Sequence, residues 1–217
     1  MSSIPQPKEG LIFDLDGTLV DTLPDIATAI NLTRGQYGMD PLPADQITGQ
    51  VGNGTAYLVR QTVPVAEHLF EEAHGYYGAF YEQHMLDQSR LHDGVVFVLD
   101  HFRNRALGVV TNKPIRQTET LLTGLCVRER FGTVLGGDSL ARMKPDPLPL
   151  THFICKHGLR PEQVVMIGDG INDVRAGKAA GVMTVAVTYG VASRKEMIAE
   201  QPDFIIDRMD GLLDIIA

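Results

Sequence analysis

The chain has 217 residues, a net charge of −8 and a pI near 5.3. It has no basic tract and no basic stripe with interleaved aromatics, so nucleic acid is not an expected partner. Its two cysteines argue against a disulfide framework or a zinc site, and no apolar run approaches the roughly 20 residues of a membrane helix. Residues 1–9 contain prolines and charges and lack the apolar region of a signal peptide. We therefore expect a cytoplasmic protein without a membrane partner.

The first predicted element is a strand over residues 11–14, an apolar run that ends abruptly on Asp14. A second acid, Asp16, follows two residues later, and Gly17 and Thr18 come next. A buried strand that ends in this way presents carboxylates at the carboxyl edge of a sheet, where open α/β proteins bind ligands. Two acids so close repel each other unless a cation lies between them or one is protonated. The segment indicates a metal site, a carboxylate nucleophile with an acid/base partner, or both.

Residues 20–91 have little strand-like pattern. Apolar residues recur at helical spacing over residues 24–37 and 66–86, and shorter helices are predicted around Ile47 and over residues 55–63. We predict that residues 20–91 form an inserted α-helical cap domain. Residues 1–19 and 92–217 are then predicted to form the core domain.

The rest of the chain alternates short apolar runs with segments of helical spacing. Strands are predicted at residues 106–111, 133–137, 163–168, 182–187 and 203–206. Helices are predicted at residues 94–104, 114–125, 146–158 and 171–180. Nearly continuous apolar strands alternating with helices are typical of a parallel sheet covered on both faces. The predicted fold class is α/β, with a Rossmann-like parallel sheet.

Polar residues cluster where the predicted strands end or shortly before a helix. They are Asp14, Asp16, Thr111, Asn112, Lys144, Asp169 and Asp173. Parallel strands would bring most of them to one sheet edge. Each also has an ordinary interpretation, as a turn acid, a helix cap, a helix-surface acid or a solvated loop lysine.

Together these residue types suit phosphoryl transfer. A carboxylate can attack phosphorus and form an aspartyl-phosphate, and a neighbouring carboxylate can move the proton. Mg²⁺ prefers hard oxygen ligands, which paired carboxylates supply. Thr111, Asn112 and Lys144 can donate hydrogen bonds to the phosphoryl oxygens as their charge changes.

The ordered motifs closely resemble the haloacid dehalogenase superfamily of aspartate-dependent phosphatases over essentially the whole chain. The motifs are Asp14-Leu15-Asp16-Gly17-Thr18, Thr111, Lys144, and Gly168-Asp169 followed by Asp173. The resemblance implies an α/β core with a small helical cap, in which Asp14 is the nucleophile and Asp16 the general acid/base.

The same resemblance implies a bound Mg²⁺. Its ligands would be the Asp14 side chain, the Asp16 backbone carbonyl and Asp169, and Asp173 would support the site directly or through water. Thr111 and Lys144 would bind the phosphoryl group. Lys144 would also offset the charge of the acids, which places it in the catalytic set.

Within the superfamily, parts of the chain are similar to bacterial phosphoglycolate phosphatases. One such part is the turn of Gly52, Asn53 and Gly54, whose glycines let the backbone approach a ligand closely. Its amides are candidates to bind a small carboxylate, with Arg60 as a possible second partner. A plain turn between helices is the ordinary alternative.

The expected activity is Mg²⁺-dependent hydrolysis of a small phosphorylated metabolite, with phosphoglycolate favoured. The alternatives are another small phosphate ester, a phosphosugar mutase of the β-phosphoglucomutase kind, and a catalytically silent binding protein on the same fold. A dehalogenase is disfavoured, because that activity needs neither Asp16 nor a metal. Either a monomer or a homodimer is compatible with the sequence.

Overall fold

The computed structural model describes residues 7–217, so residues 1–6 of the predicted core domain lie outside the described part. The strands are β1 Gly10–Phe13, β2 Val20–Asp21, β3 Arg90–Leu91, β4 Ala106–Val110, β5 Thr133–Leu135, β6 Val164–Gly168, β7 Met183–Val187 and β8 Phe204–Ile206. The α-helices are α1 Leu23–Gln36, α2 Ala44–Thr48, α3 Thr55–Thr62, α4 Phe70–His84, α5 Val95–His101, α6 Ile115–Gly124, α7 Leu148–Lys156, α8 Ile171–Ala180 and α9 Arg194–Ala199. Short 3₁₀ turns lie at Glu67–Leu69, Arg128–Arg130, Pro161–Gln163 and Met209–Asp214.

Six strands form one parallel sheet in the order β5-β4-β1-β6-β7-β8. Counted along the sheet strands alone, this is the doubly wound order 3-2-1-4-5-6, in which the direction of winding reverses beside the first strand. The predicted Rossmann-like parallel sheet is confirmed. The reversal places the ligand crevice at the carboxyl end of β1.

Both faces of the sheet are buried. Successive side chains of a strand point to opposite faces, so each strand contributes to two apolar clusters. In β1, Leu11 and Phe13 join one apolar cluster, and Ile12 joins the other. The cluster around Ile12 is covered by α7 and α8, and the cluster around Leu11 is covered by α5 and by helices of the segment between β2 and β3. The nearly continuous apolar character of the strands follows from this double covering.

The segment between β2 and β3 is helical, as the sequence predicts. Its ends meet in a two-stranded antiparallel ribbon, where Val20 pairs with Leu91 and Asp21 pairs with Arg90. This ribbon is not predictable from the sequence because a two-residue strand has no measurable periodicity. The division into core and cap domains stays a prediction, since one apolar cluster continues from the sheet into α1 and α4.

Asp25 in the first turn of α1 fixes the chain where it returns from the helical segment. The side chain is fully buried, and its carboxylate accepts hydrogen bonds from the backbone N–H groups of Gln88 and Ser89 and from the Ser89 hydroxyl. Hydrogen bonds to a buried carboxylate are stronger than neutral ones. They hold the start of α1 against the strand that leads back to the sheet.

No helix in the part of the chain that the structure describes has the length and apolar character needed to cross a membrane.

Candidate active site

Three buried or half-buried acids meet at the carboxyl edge of the sheet. Asp14 follows β1, Asp169 follows β6, and Asp173 lies in the first turn of α8. Because Phe13 is in register with Ile167, the two strands end side by side. Carboxylate oxygens of the three acids lie within 4.8 Å of one another. This set of hard oxygen donors fits a Mg²⁺ ion, which binds through one or two carboxylates and retains waters.

Gly17 allows the acids to approach this closely. Its φ of +79° lies in the left-handed region, and a Cβ atom there would lie 2.3 Å from Asp169 Oδ2. With the glycine in place, the next residue, Thr18, donates a hydrogen bond from Oγ1 to Asp169 Oδ1 at 2.6 Å. The backbone N–H of Val191 donates to Asp169 Oδ2 at 2.6 Å. These contacts fix the Asp169 carboxylate facing β1.

Lys144 lies among the same acids, as the sequence predicts. Its ammonium is buried, 3.0 Å from Asp14 Oδ1 and 2.5 Å from Asp173 Oδ1. Asp173 in turn accepts a hydrogen bond from the Gly170 N–H at 2.9 Å. Burial alone lowers the pKa of the Lys144 ammonium, but the charges of Asp14 and Asp173 outweigh it, so that its pKa is raised. Lys144 is therefore a permanent positive charge beside the predicted nucleophile.

The crowded acids hold protons more tightly than free carboxyl groups. Burial and then the charge of Asp173 raise the pKa of Asp14 from 3.8 to about 6. Burial and then the charge of Asp14 raise the pKa of Asp169 from 3.8 to about 8, against the hydrogen bonds from Thr18 and Val191. One lysine thus does not compensate three acids, and a divalent cation would relieve the remaining repulsion.

These pKa shifts predict how the stability of the metal-free protein depends on pH. Between the unfolded and folded pKa values the folded state binds more protons, so stability falls as pH rises through about 4 to 8. Burial lowers the pKa of His92 and His157, so these two groups make stability rise with pH instead. To isolate the contribution of the acids, the pH dependence of stability is therefore compared with that of the variant Asp169→Asn.

In EDTA, we expect the melting temperature of the unmodified protein to fall when the pH is raised from about 5.5 to about 8.5. This fall should exceed the fall for Asp169→Asn by at least ~4 °C. Thermal unfolding followed by circular dichroism measures both. Parallel melting curves for the two proteins across this range would contradict the prediction.

Asp16 lies apart from the three-acid group. Its carboxylate accepts hydrogen bonds from the Thr22 hydroxyl at 2.6 Å and from the Lys113 ammonium at 2.9 and 3.1 Å. Neither Thr22 nor Lys113 is among the site residues predicted from the sequence. The available signal was the position of Lys113 directly after Thr111 and Asn112 at the end of β4, but its pairing with Asp16 is a contact across 97 residues.

Thr111 and Asn112 follow β4, as predicted. Thr111 is buried with its hydroxyl accepting from the Lys113 N–H at 3.3 Å, so that its own hydrogen is free to be donated. Both amide hydrogens of Asn112 are engaged, by the carbonyl oxygens of Gly52 at 2.9 Å and Lys144 at 2.8 Å. Donation from the Asn112 side chain to a phosphoryl oxygen stays a prediction and requires one of these bonds to break.

The turn of Gly52, Asn53 and Gly54 reaches the sheet edge from the helical segment. The Asn172 amide in α8 donates to the Gly52 carbonyl at 3.1 Å and to Asn53 Oδ1 at 2.9 Å. Gly52 and Gly54 both have positive φ values. The turn therefore lies beside the acids, although its predicted contact with a substrate carboxylate stays a prediction.

A small, partly open cavity borders Asp14, Asp16 and Asp169. Its volume is about 50 Å³, which is room for a few water molecules. The sheet edge contributes polar residues to its lining, and the helical segment contributes the apolar residues Ile26, Val51, Leu58 and Tyr77. Arg60, the other candidate carboxylate partner, is absent from this lining and pairs with Glu67 at 2.7 Å. Tyr77 of α4 thus packs in the apolar core and also lines the cavity.

Residues 11–187 match the family described as haloacid dehalogenase-like hydrolase. The chain belongs to this family. The match spans β1 to β7 and therefore includes every acid of the site, so the predicted superfamily resemblance is confirmed.

Relatives of this haloacid dehalogenase-like hydrolase extend over nearly its whole length. The phosphoglycolate phosphatase of Chromobacterium violaceum is 35% identical over 216 residues, and that of Colwellia psychrerythraea is 36% identical over 218 residues. Each alignment covers 96% of both chains. A crystal structure from Haemophilus somnus 129pt, described as a "predicted phosphoglycolate phosphatase", superposes with a TM-score of 0.91 at 31% identity, covering 95% of this chain and 96% of the other.

Proposed function

We propose that this phosphatase is a Mg²⁺-dependent phosphomonoester hydrolase that works through an aspartyl-phosphate on Asp14. Its preferred substrate is 2-phosphoglycolate, which it converts to glycolate and phosphate. The observation that carries the proposal is the convergence of Asp14, Asp169, Asp173 and Lys144 at the carboxyl edge of the sheet.

Asp14, Asp169 and the Asp16 backbone carbonyl would hold the Mg²⁺ ion, with Asp173 as support. When bound, the ion supplies positive charge to the acids and to the phosphoryl oxygens. Asp173 also holds Lys144 through its contact at 2.5 Å, which keeps the ammonium beside Asp14. Lys144 and the Thr111 hydroxyl orient the phosphoryl group and stabilise its charge.

In the first step, a carboxylate oxygen of Asp14 attacks phosphorus, the bond from phosphorus to the leaving oxygen breaks, and Asp16 gives that oxygen a proton. In the second step, Asp16 takes a proton from water, the water oxygen bonds to phosphorus, and the Asp14 acyl-phosphate bond breaks. The Lys113 and Thr22 contacts fix the position of Asp16 relative to β1.

Two observations support a small leaving group. The relatives that span the chain are named phosphoglycolate phosphatase, and the cavity beside Asp14 and Asp16 is small, about 50 Å³ in volume. A different small phosphate ester and a phosphosugar mutase activity are the alternatives. A cytoplasmic location and a monomer or homodimer remain predictions.

The test is a turnover screen with Mg²⁺ over 2-phosphoglycolate, glycerol phosphates, hexose phosphates and β-glucose 1-phosphate. We expect kcat/KM for 2-phosphoglycolate to exceed that for every other ester by at least about tenfold, or ~1.4 kcal/mol in transition-state binding. A higher value for another ester would replace the substrate and keep the chemistry. Conversion of β-glucose 1-phosphate to glucose 6-phosphate without phosphate release would replace hydrolysis by the mutase reaction.

A further inference from the structure

Lys113 is a buried cation whose part in the proposed chemistry is limited to holding Asp16 in position. The residue is 5% exposed and follows β4 directly after Asn112. Its ammonium contacts the two carboxylate oxygens of Asp16 at 2.9 and 3.1 Å and lies 4.3 Å from the centroid of the Tyr81 ring. An ammonium group has three N–H donors. Within residues 7–217, the acceptors of Lys113 belong to a single carboxylate, so it keeps the capacity to bind a second acceptor.

The position of Lys113 in the cavity distinguishes it from the other cations. Among the described residues that line the cavity, Lys113 is the only lysine or arginine. Lys144 is paired with Asp14 and Asp173, and Arg60 is paired with Glu67. A negatively charged leaving group in this cavity therefore has one side chain of opposite charge to meet.

The surroundings strengthen such a contact. Ile26, Val51, Leu58 and Tyr77 also line the cavity and offer apolar surface in place of water. Interactions between charges are stronger in a site of this kind than in bulk solvent. A leaving group in this cavity would meet both this apolar surface and Lys113.

We propose that Lys113 is the specificity-determining residue that binds a carboxylate on the leaving group. The enzyme then favours phosphate esters of small hydroxy acids over esters of neutral alcohols of the same size. The Gly52–Gly54 turn lines the same cavity, so its amides can share this carboxylate. This inference rests on the proposed phosphatase function and extends it to the chemical class of the substrate.

The test compares two substrates that differ only in charge, 2-phosphoglycolate and 2-phosphoglycolamide. For the unmodified enzyme we expect kcat/KM to favour the carboxylate by at least about tenfold, the size of one hydrogen bond between charged groups. Lys113→Met should lower this preference at least about tenfold, mainly through KM, whereas Lys113→Arg should retain part of it. Lys156→Met, an exposed lysine in the last turn of α7, is the matched control and should keep the full preference.

Loss of the Asp16 partner in Lys113→Met lowers turnover of both esters alike, so the ratio isolates the contact with the carboxylate. An unchanged ratio in Lys113→Met overturns the inference. If that variant does not fold, the unmodified enzyme decides. Equal kcat/KM for the two esters overturns the inference, and competitive inhibition by glycolate with a Ki at least about tenfold below that of glycolamide supports it. Release of phosphate from neither ester would instead refute the proposed function.

Discussion

Asp14→Asn should lower kcat for phosphate release by at least about 10⁴-fold, because removal of a covalent nucleophile costs on the order of 10⁴ to 10⁶ in rate. The amide has nearly the shape of the carboxylate but cannot attack phosphorus. Lys144 keeps its contact with Asp173 in the variant, so the buried ammonium is not left without a partner. Phosphate release with saturating 2-phosphoglycolate and Mg²⁺ measures the effect.

The control for this variant is Asp40→Asn, an exposed acid in the loop after α1, which should retain unmodified kcat. Far-ultraviolet circular dichroism should show the same helix content in both variants and the parent. A second measurement addresses the intermediate directly. When methanol competes with water, the partition between methyl phosphate and phosphate should be the same for all substrates, since all pass through one aspartyl-phosphate. Turnover of Asp14→Asn within tenfold of the parent would exclude nucleophilic catalysis by Asp14.

Removal of the metal should cause the second largest loss of turnover. Dialysis against EDTA should reduce turnover by about 10³-fold or more, because several kcal/mol of charge stabilisation is lost with the ion. Mg²⁺ should also stabilise the fold, since it relieves the repulsion among Asp14, Asp169 and Asp173. At a concentration 100 times its Kd, the expected gain is about 2.7 kcal/mol, or roughly 5–10 °C in melting temperature.

Two comparisons make this prediction specific. Asp169→Asn should weaken the Mg²⁺ dependence of both activity and melting temperature, whereas Asp146→Asn, on the loop before α7, should leave both unchanged. The gain from Mg²⁺ should also be larger at about pH 8 than at about pH 5.5, because protons compete for the same acids at low pH. Full activity after exhaustive chelation would show that the acids serve another purpose.

Much of the fold could be predicted because its strands are short apolar runs with sharp polar ends. The prediction for α8, residues 171–180, agrees with the structure at both ends, and β1 is displaced by one residue. The doubly wound order follows from alternating strands and helices, since right-handed crossovers leave few other arrangements. The meeting of Asp14 and Asp169 was predictable because parallel strands end at one edge of the sheet, whereas Lys144 reaches them from the loop before α7.

Other features depend on contacts that sequence spacing does not encode. The ion pair of Lys113 with Asp16 and the contact of Asn172 with Gly52 join residues 97 and 120 positions apart. Their partners become visible only when the helical segment is packed against the sheet edge. The two-residue strands β2 and β3 are similarly defined by each other and not by their own composition.

The origin of the cavity walls has a practical consequence for redesign. Asp14 and Asp169 follow β1 and β6, and Lys144 lies in the loop before α7, whereas Ile26, Val51, Leu58 and Tyr77 come from the segment between β2 and β3. A library that randomises these four positions can enlarge or reshape the leaving-group compartment without altering a single reacting atom. The size and shape of the leaving-group compartment can thus be engineered separately from the reacting groups.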